Sequence, residues 1–181
     1  MRLFAAIDIP ADIKDALLCF VDRLRPTAKI GWSSLENLHV TTKFIGEWPE
    51  LRLDEIKNTL ASVPVSGNID ITIKGLGWFP NPRRPRVFWA GVEGGAPLRD
   101  LARATEQAVA RLGVPIEERV YSPHLTLARI REAVPLERLH ETIASFPAGC
   151  GFDFASFKAT QFFLYLSAGG KYTHLAGFPL E

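Results

Sequence analysis

A short motif occurs twice in this chain, and the spacing of its two copies constrains the fold more than any other feature. Residues 39–42 read His-Val-Thr-Thr and residues 124–127 read His-Leu-Thr-Leu, so the copies lie 85 positions apart in a chain of 181 residues. Both copies lie in runs of strand-forming residues, where residues i and i+2 point to the same face. Each motif is therefore expected to place an imidazole and a hydroxyl side by side.

The elements around the two motifs also repeat. In each half the sequence predicts a strand, a helix, the histidine strand, a second helix and a further strand, at an offset of about 84 to 88 residues. Residues 2–6 echo residues 86–90 at the same offset. The repeat predicts one bilobal α+β domain over residues 1–181, with approximate lobes 1–92 and 93–181 that each contribute one histidine strand. Two antiparallel sheets would flank a central cleft, with the helices on their outer faces.

Apolar periodicity and the positions of proline and glycine predict where the elements lie. Apolar residues at helical spacing predict helices over residues 12–25, 51–62, 96–112 and 136–146. Alternating or continuous apolar runs predict strands over residues 2–9, 38–45, 69–79, 86–92, 123–130, 157–166 and 172–178.

Composition is typical of an ordinary globular protein and limits the class of partner. Hydrophobic residues make up 47% and charged residues 23%, and the formal net charge is +1. This balance argues against a protein that coats long nucleic acids through a strong overall field, although it allows a local basic pocket. No stretch has the roughly 20 apolar residues of a membrane span, and the apolar start is too short for a signal peptide. Cys19 and Cys150 are expected to be reduced, buried thiols, so we predict a cytoplasmic protein.

The two motif histidines suggest acid–base chemistry. Imidazole titrates near neutral pH, so one of His39 and His124 can donate a proton while the other accepts one. Thr41 and Thr126 could orient the rings or donate hydrogen bonds to an anionic oxygen of a substrate. A reaction with an attacking water and a leaving alkoxide needs both histidine roles.

Two further side chains could complete a phosphodiester site. Arg129 follows His124 by five positions and offers a planar fork that fits a phosphate bidentately. Phe44 follows His39 by five positions and could stack on a base, a contact worth ~1–3 kcal/mol. Strand alternation puts both side chains on the face opposite their histidine, so each needs a bulge, a strong twist or a strand end to reach the cleft. With them, the sequence suggests a metal-free site for a terminal nucleotide.

Other polar and aromatic residues favour structural interpretations. His140 is expected on a solvated helix surface, and His174 is expected to have a structural role on the last strand. Arg83, Arg84 and Arg86 are expected to lie in a solvated loop, in preference to contacting RNA phosphates. Trp32, Trp78 and Trp89 are expected in the core or at the interface between the lobes. A zinc site is disfavoured because the sequence has no CxxC or HExxH spacing.

The two motifs occur within a wider set of characteristic segments. These segments are residues 1–6, 36–46, 75–80, 85–89, 121–129, 167, 172 and 177–180. On them the chain resembles the two-histidine (2H) phosphoesterases, specifically the RNA 2′,3′-cyclic phosphodiesterase branch formerly called 2′-5′ RNA ligases. Thr42 departs from the apolar residue that this family usually has. Because Thr42 should face away from His39, we expect altered packing and unchanged chemistry.

The resemblance implies a fold, an activity and a set of roles. The fold is bilobal α+β, and the activity is hydrolysis of a terminal RNA 2′,3′-cyclic phosphate to a 2′-phosphomonoester without a metal. His39 matches the general acid that protonates the leaving O3′, and His124 matches the general base that activates water. Arg129 matches the arginine that grips the phosphate, and Phe44 matches the aromatic residue that stacks on the base. The remaining substrate-binding positions, the motif threonines, are Thr41 and Thr126.

Other functions remain compatible with the same residues. The histidines could join RNA ends reversibly through a 2′-5′ bond, with a ribose hydroxyl in place of water. The cleft could also belong to a non-catalytic nucleotide-binding module or act on small cyclic nucleotides. The predicted partner is an RNA 3′ end bearing a 2′,3′-cyclic phosphate, with no cofactor, membrane or obligate protein partner. We predict a monomer because the duplication already supplies both histidines.

Overall fold

The structure is a computed structural model that describes residues 1–147 and 152–181. Within these residues the strands are β1 (Arg2–Asp8), β2 (Gly31–Trp32), β3 (His39–Glu47), β4 (Ile69–Phe79), β5 (Val87–Glu93), β6 (His124–Arg129), β7 (Asp153–Ala159), β8 (Gln161–Ala168) and β9 (Lys171–Pro179). The α-helices are α1 (Ala11–Leu24), α2 (Leu53–Ala61), α3 (Gly95–Ala110) and α4 (Glu137–Ala144). Short 3₁₀ helices occupy Arg25–Thr27, Leu35–Asn37 and Glu50–Arg52.

The strands form two antiparallel sheets, and each sheet contains one histidine strand. The first sheet has the order β3-β1-β8-β9, and the second has the order β2-β6-β5-β4-β7. The series β3-β1-β8 in the first sheet corresponds to β6-β5-β4 in the second. Strands β2 and β4 and nearly all of β5 come from the first half of the chain but lie in the sheet of β6, and strands β8 and β9 come from the second half but lie in the sheet of β3. The sequence halves 1–92 and 93–181 therefore do not coincide with the two sheets.

The segment between α4 and β9 differs from the single strand predicted over 157–166. It forms two strands, β7 and β8, which lie in different sheets on either side of Thr160. The Thr160 carbonyl accepts a hydrogen bond from the Leu180 N–H at 2.9 Å, which ties the crossing point to the C-terminal segment. Residues 158–161 at the crossing read Lys-Ala-Thr-Gln and contain no glycine or proline, so the sequence carries no strong turn signal there.

The helices cover the sheets through apolar stripes. The buried side chains of α1 recur every three or four residues and are Ile13, Leu17, Phe20, Val21 and Leu24. Those of α3, which packs against β3, are Leu98, Leu101, Ala102, Thr105 and Val109. Burying one large apolar side chain of this kind contributes roughly 1.5–3 kcal/mol. The predicted α+β fold, with two antiparallel sheets and helices on their outer faces, is confirmed.

The environment of Cys19 differs from the prediction. Cys19 is exposed because it lies outside the buried stripe of α1, so the expectation of a buried thiol is wrong. Cys150 lies outside the described residues. Across residues 1–147 and 152–181, no helix combines the length and hydropathy that a membrane crossing requires.

Candidate active site

A bulge in β3 brings Phe44 to the same face as His39. The register between β1 and β3 skips one residue at Thr42. Beyond the skip Phe44 pairs with Phe4, whose ring centroid lies 4.7 Å from that of His39 and 6.3 Å from that of Phe44. Phe44 is 51% exposed, which is unusual for a phenylalanine and leaves its ring free to contact a ligand.

The second histidine strand has the same irregularity at the equivalent position. The register between β5 and β6 skips Leu127, so Arg129 returns to the face of His124. From each histidine onward, six residues of both strands show the same order: half-buried, buried, half-buried, buried, buried, exposed. The prediction that Phe44 and Arg129 need an irregular strand to reach the side of their histidine is confirmed.

Both histidines are held by a backbone carbonyl two residues earlier. His39 Nδ1 lies 2.7 Å from the Asn37 carbonyl oxygen, and His124 Nδ1 lies 2.8 Å from the Ser122 carbonyl oxygen. A carbonyl oxygen can only accept, so Nδ1 carries a proton and donates it in both rings. The other nitrogen of each ring, Nε2, is left to exchange a proton with a substrate.

Aromatic rings from the first sheet pack around His39. The ring centroid of His39 lies 4.7 Å from Phe4, 5.1 Å from Tyr172 and 5.8 Å from Tyr165. Phe4 and Tyr165 stack on each other at 4.9 Å and are buried in a small cluster separate from the main core. The sequence alone does not indicate a role for these rings, because their packing around His39 depends on the pairing of β8 with β1.

Phe79 and Trp89 pack around His124 in the second sheet. Their ring centroids lie 4.9 Å and 6.5 Å from that of His124. The Trp89 ring lies directly over Gly77, where any Cβ atom would overlap it. Glycine therefore permits the close approach of this ring to β4. Trp89 is half-buried beside a site histidine, so the expectation of a role only in the core or lobe interface missed this contact.

The connection between α3 and β6 is anchored on the strand that carries His39. The Tyr121 hydroxyl donates a hydrogen bond to the Thr41 carbonyl oxygen at 2.9 Å. Lys43 Nζ, which is buried, donates to the Pro115 carbonyl oxygen at 2.8 Å and pairs with the Glu106 carboxylate at 3.0 Å. Residues of β3 and β6 also approach within 8 Å between Cα atoms. Side-chain bonds thus tie β3 to α3 and to the connection that leads into β6.

The motif threonines lie where strand alternation places them. Thr41 and Thr126 are half-buried on the same face as their histidines. Thr42 is buried, and its Oγ1 has no hydrogen-bond partner among the described residues. A buried hydroxyl without a partner costs ~1–3 kcal/mol, so the departure at this position affects packing.

Burial lowers the pKa of both imidazoles. Desolvation takes the pKa of His39 from 6.5 down to about 4, against a backbone hydrogen bond and the Asp8 carboxylate, which raise it. Desolvation also lowers the pKa of His124, again against a backbone hydrogen bond. The Arg129 guanidinium further lowers the pKa of both rings, so one positive charge acts on both histidines.

The lowered pKa of His39 predicts a loss of stability in mild acid. The unfolded chain binds a proton near pH 6.5 but the folded protein only near pH 4, so stability falls as the pH drops between these values. A displacement of this size corresponds to roughly 3 kcal/mol. The free energy of unfolding of His39→Gln should therefore fall less than that of the wild type from pH 7 to pH 4. Urea unfolding measures the free energy of unfolding of the variant and of the wild type at each pH, with His140→Gln as the matched control. Equal losses of stability in His39→Gln and wild type would contradict the lowered pKa.

The other two histidines lie elsewhere. His140 is exposed on α4, with its ring centroid 5.1 Å from that of Trp78. His174 stacks on Phe163 at 4.2 Å, and its Nε2 lies 3.8 Å from the Asp8 carboxylate. In the part of the chain that the structure describes, no three His, Cys, Asp or Glu side chains converge as a metal-ligand group.

The fold and the paired histidines define a phosphoesterase class. The chain belongs to the family described as LigT like Phosphoesterase, which matches residues 7–89 and 92–167. These two segments follow the two halves of the internal repeat. The resemblance to the two-histidine phosphoesterases is thereby confirmed.

Individual relatives match nearly the whole chain. A Methanocaldococcus jannaschii protein named RNA 2′,3′-cyclic phosphodiesterase is 35% identical over 167 residues, which are 92% of this chain and 91% of that protein. The crystal structure of TT0787 of Thermus thermophilus is similar with a TM-score of 0.81 at 26% identity, covering 99% of this chain and 98% of that one. The crystal structure of E. coli LigT complexed with 3′-AMP has a TM-score of 0.77 at 28% identity, covering 99% and 97%.

Proposed function

We propose that this protein hydrolyses RNA 2′,3′-cyclic phosphate ends to 2′-phosphomonoesters. The observation that carries the proposal is the geometry of the histidine pair. Two linked strands from different sheets each present an imidazole whose Nδ1 is bound to a carbonyl, which leaves both Nε2 atoms for proton transfer. A hydrolysis in which water attacks and an alkoxide leaves needs one proton acceptor and one proton donor.

The relatives support the substrate class. The Methanocaldococcus jannaschii relative bears the name RNA 2′,3′-cyclic phosphodiesterase, and so does an Aeropyrum pernix protein that is 44% identical over 105 residues. E. coli LigT has been crystallised in complex with 3′-AMP, a mononucleotide. An RNA terminus is therefore the substrate that we assign to this cleft.

The proposed reaction proceeds by in-line displacement at phosphorus. His124 Nε2 accepts a proton from water as the water oxygen attacks the phosphorus. The bond between phosphorus and O3′ breaks, and His39 gives its Nε2 proton to O3′. The product carries a free 3′-hydroxyl and a 2′-phosphate, and proton exchange with solvent returns both imidazoles to their starting states.

Burial opposes the role of His39 as the proton donor, because it lowers the pKa of the ring, whereas the Asp8 carboxylate favours that role. A donor must be protonated when the substrate is bound, and the Asp8 carboxylate, which lies opposite His39 in the β1–β3 pairing, raises its pKa. Asp8 is not among the groups that shift the pKa of His124. An anionic phosphate bound between the rings would raise both pKa values. In the proposed mechanism this phosphate and Asp8 together keep His39 protonated, and His124, whose pKa Asp8 does not shift, is the neutral proton acceptor.

The remaining predicted residues bind the substrate. Arg129 stabilises charge on the non-bridging phosphate oxygens, a role that its exposed guanidinium beside both imidazoles permits. Phe44 stacks on the terminal base from the rim of the first sheet. Thr41 and Thr126 donate hydrogen bonds to the phosphate or orient the rings beside them. We further infer a cytoplasmic location, and a monomeric state because one chain supplies both histidines.

The proposal is tested by analysing products from an RNA oligonucleotide that ends in a 2′,3′-cyclic phosphate. In ¹⁸O-labelled water and excess EDTA, we expect full activity and a 2′-phosphomonoester that contains one labelled oxygen. A labelled 3′-phosphate, or the loss of activity on chelation, would contradict the proposed reaction. A second strand with a 5′-hydroxyl reveals any joining through a 2′-5′ bond. Nucleotide binding without turnover would instead support a binding module.

A further inference from the structure

Four exposed arginines lie in the two chain segments that adjoin the paired strand ends at Val87 and Arg129. They are Arg83, Arg84, Arg86 and Arg131, and together they are called the arginine rim. Three of them lie in the loop of residues 80–86, which joins β4 to β5 at the end of the second sheet where Val87 pairs with Arg129. Phe79, the last residue before the loop, packs against His124 with 4.9 Å between ring centroids. Both ends of the loop therefore adjoin the candidate site.

Hydrogen bonds hold the backbone of the rim in one arrangement. The Asn81 side-chain oxygen accepts hydrogen bonds from the N–H groups of Arg83 and Arg84 at 3.0 and 3.1 Å. The Arg86 guanidinium donates to the Arg131 carbonyl oxygen at 2.7 Å, which ties the loop to the segment after β6. The side chains of Arg83 and Arg84 play no part in these bonds. Their charges can therefore be removed without disturbing the turn.

The rim concentrates positive charge in a chain whose net charge is close to zero. The whole sequence has 21 Lys and Arg against 20 Asp and Glu. Among the described residues, no rim guanidinium has a carboxylate oxygen within 4.0 Å, although Glu132 follows Arg131 directly. Unneutralised guanidinium groups at the edge of a phosphate site suit further phosphates of the same strand.

We propose that the arginine rim binds the sugar-phosphate backbone of the RNA strand upstream of the terminal nucleotide. This inference rests on the proposed function, because it takes the terminal phosphate to lie between the two histidines. Contacts with phosphates add affinity without base preference. The rim therefore makes RNA oligonucleotides bind better than cyclic or linear mononucleotides.

A binding measurement tests the rim independently of catalysis. The probes are a ten-nucleotide RNA that ends in a 2′-phosphate and the matching 2′-mononucleotide, each titrated with wild type and with the double variant Arg83→Gln/Arg84→Gln. The Kd for the oligonucleotide should rise about tenfold at low salt, and the slope of log K against log salt should fall by about 1.4, the value for two phosphate contacts on a single strand. The Kd for the mononucleotide should stay within about twofold.

A matched variant separates a local effect from a change in overall charge. Arg99→Gln/Arg111→Gln removes the same charge from exposed positions on and just after α3 and should bind both probes like the wild type. Equal oligonucleotide affinity and salt slope in wild type and the Arg83/Arg84 variant would overturn the rim proposal, whether or not the protein hydrolyses cyclic phosphates. The same would follow if the Arg99/Arg111 variant lost as much affinity. Absence of hydrolysis with intact rim binding would overturn the proposed function alone.

Discussion

His39→Ala and His124→Ala are each expected to lower kcat for a cyclic-phosphate RNA end by about 10²–10⁴-fold. Each change removes the only group that the proposed mechanism assigns to one proton transfer, so neither histidine can replace the other. Both imidazoles lie half-buried in the cleft, where their Nδ1 atoms are already bound to the Asn37 and Ser122 carbonyl oxygens. Steady-state hydrolysis of a cyclic-phosphate oligonucleotide measures the effect.

The loss must come from chemistry and not from unfolding. His39 and His124 both contact aromatic rings, so the unfolding midpoint of each variant has to be recorded beside its rate. His140→Ala is the control, because it removes an exposed imidazole on α4 and should leave kcat unchanged. Either motif variant turning over at the wild-type rate while folded would remove that histidine from the mechanism.

Arg129→Gln is expected to lower kcat/KM by about 10²–10³-fold, the range seen when one donor to a developing anion is lost. The effect follows from the place of Arg129, which the bulge at Leu127 brings to the face of His124. Its charge also lowers the pKa of both imidazoles, so its removal should shift the pH–rate profile toward higher pH. Rates between pH 4 and pH 9 on a cyclic mononucleotide measure both changes.

A lysine at the same position distinguishes charge from geometry. Arg129→Lys keeps the positive charge but lacks the planar fork, so it should retain the pH profile and recover only part of the rate. If Arg129→Gln had the wild-type kcat/KM, the phosphate would have to be held by other groups.

The sequence predicted the histidine pair because strand alternation is a local rule. His39 and Thr41 share a face for the same reason as His124 and Thr126, and no knowledge of the tertiary structure is needed. The bulges at Thr42 and Leu127 were different, since an extra residue in a strand leaves no mark in apolar alternation. Strand alternation predicted that Phe44 and Arg129 need an irregular strand, but only the strand pairing showed that the irregularities lie at Thr42 and Leu127.

The exchange of strands between the halves could not be predicted from the repeat. A duplicated pattern says that β4 and β8 are equivalent, but the sheet that each one joins depends on long-range pairing. The contacts of Phe4 and Tyr165 with His39 depend on that pairing, as do those of Phe79 and Trp89 with His124. These rings supply the burial that lowers the pKa of the site histidines, and sequence reasoning missed them.

The roles of the two imidazoles at one phosphorus are tested most directly by changing the leaving atom. A substrate in which sulfur replaces the bridging O3′ has a leaving group that needs no proton donor. We predict that His39→Ala recovers most of its lost rate on this substrate, whereas His124→Ala, which lacks the group that activates water, stays slow. Equal recovery in both variants, or in neither, would contradict an acid from one sheet and a base from the other acting on the same phosphate.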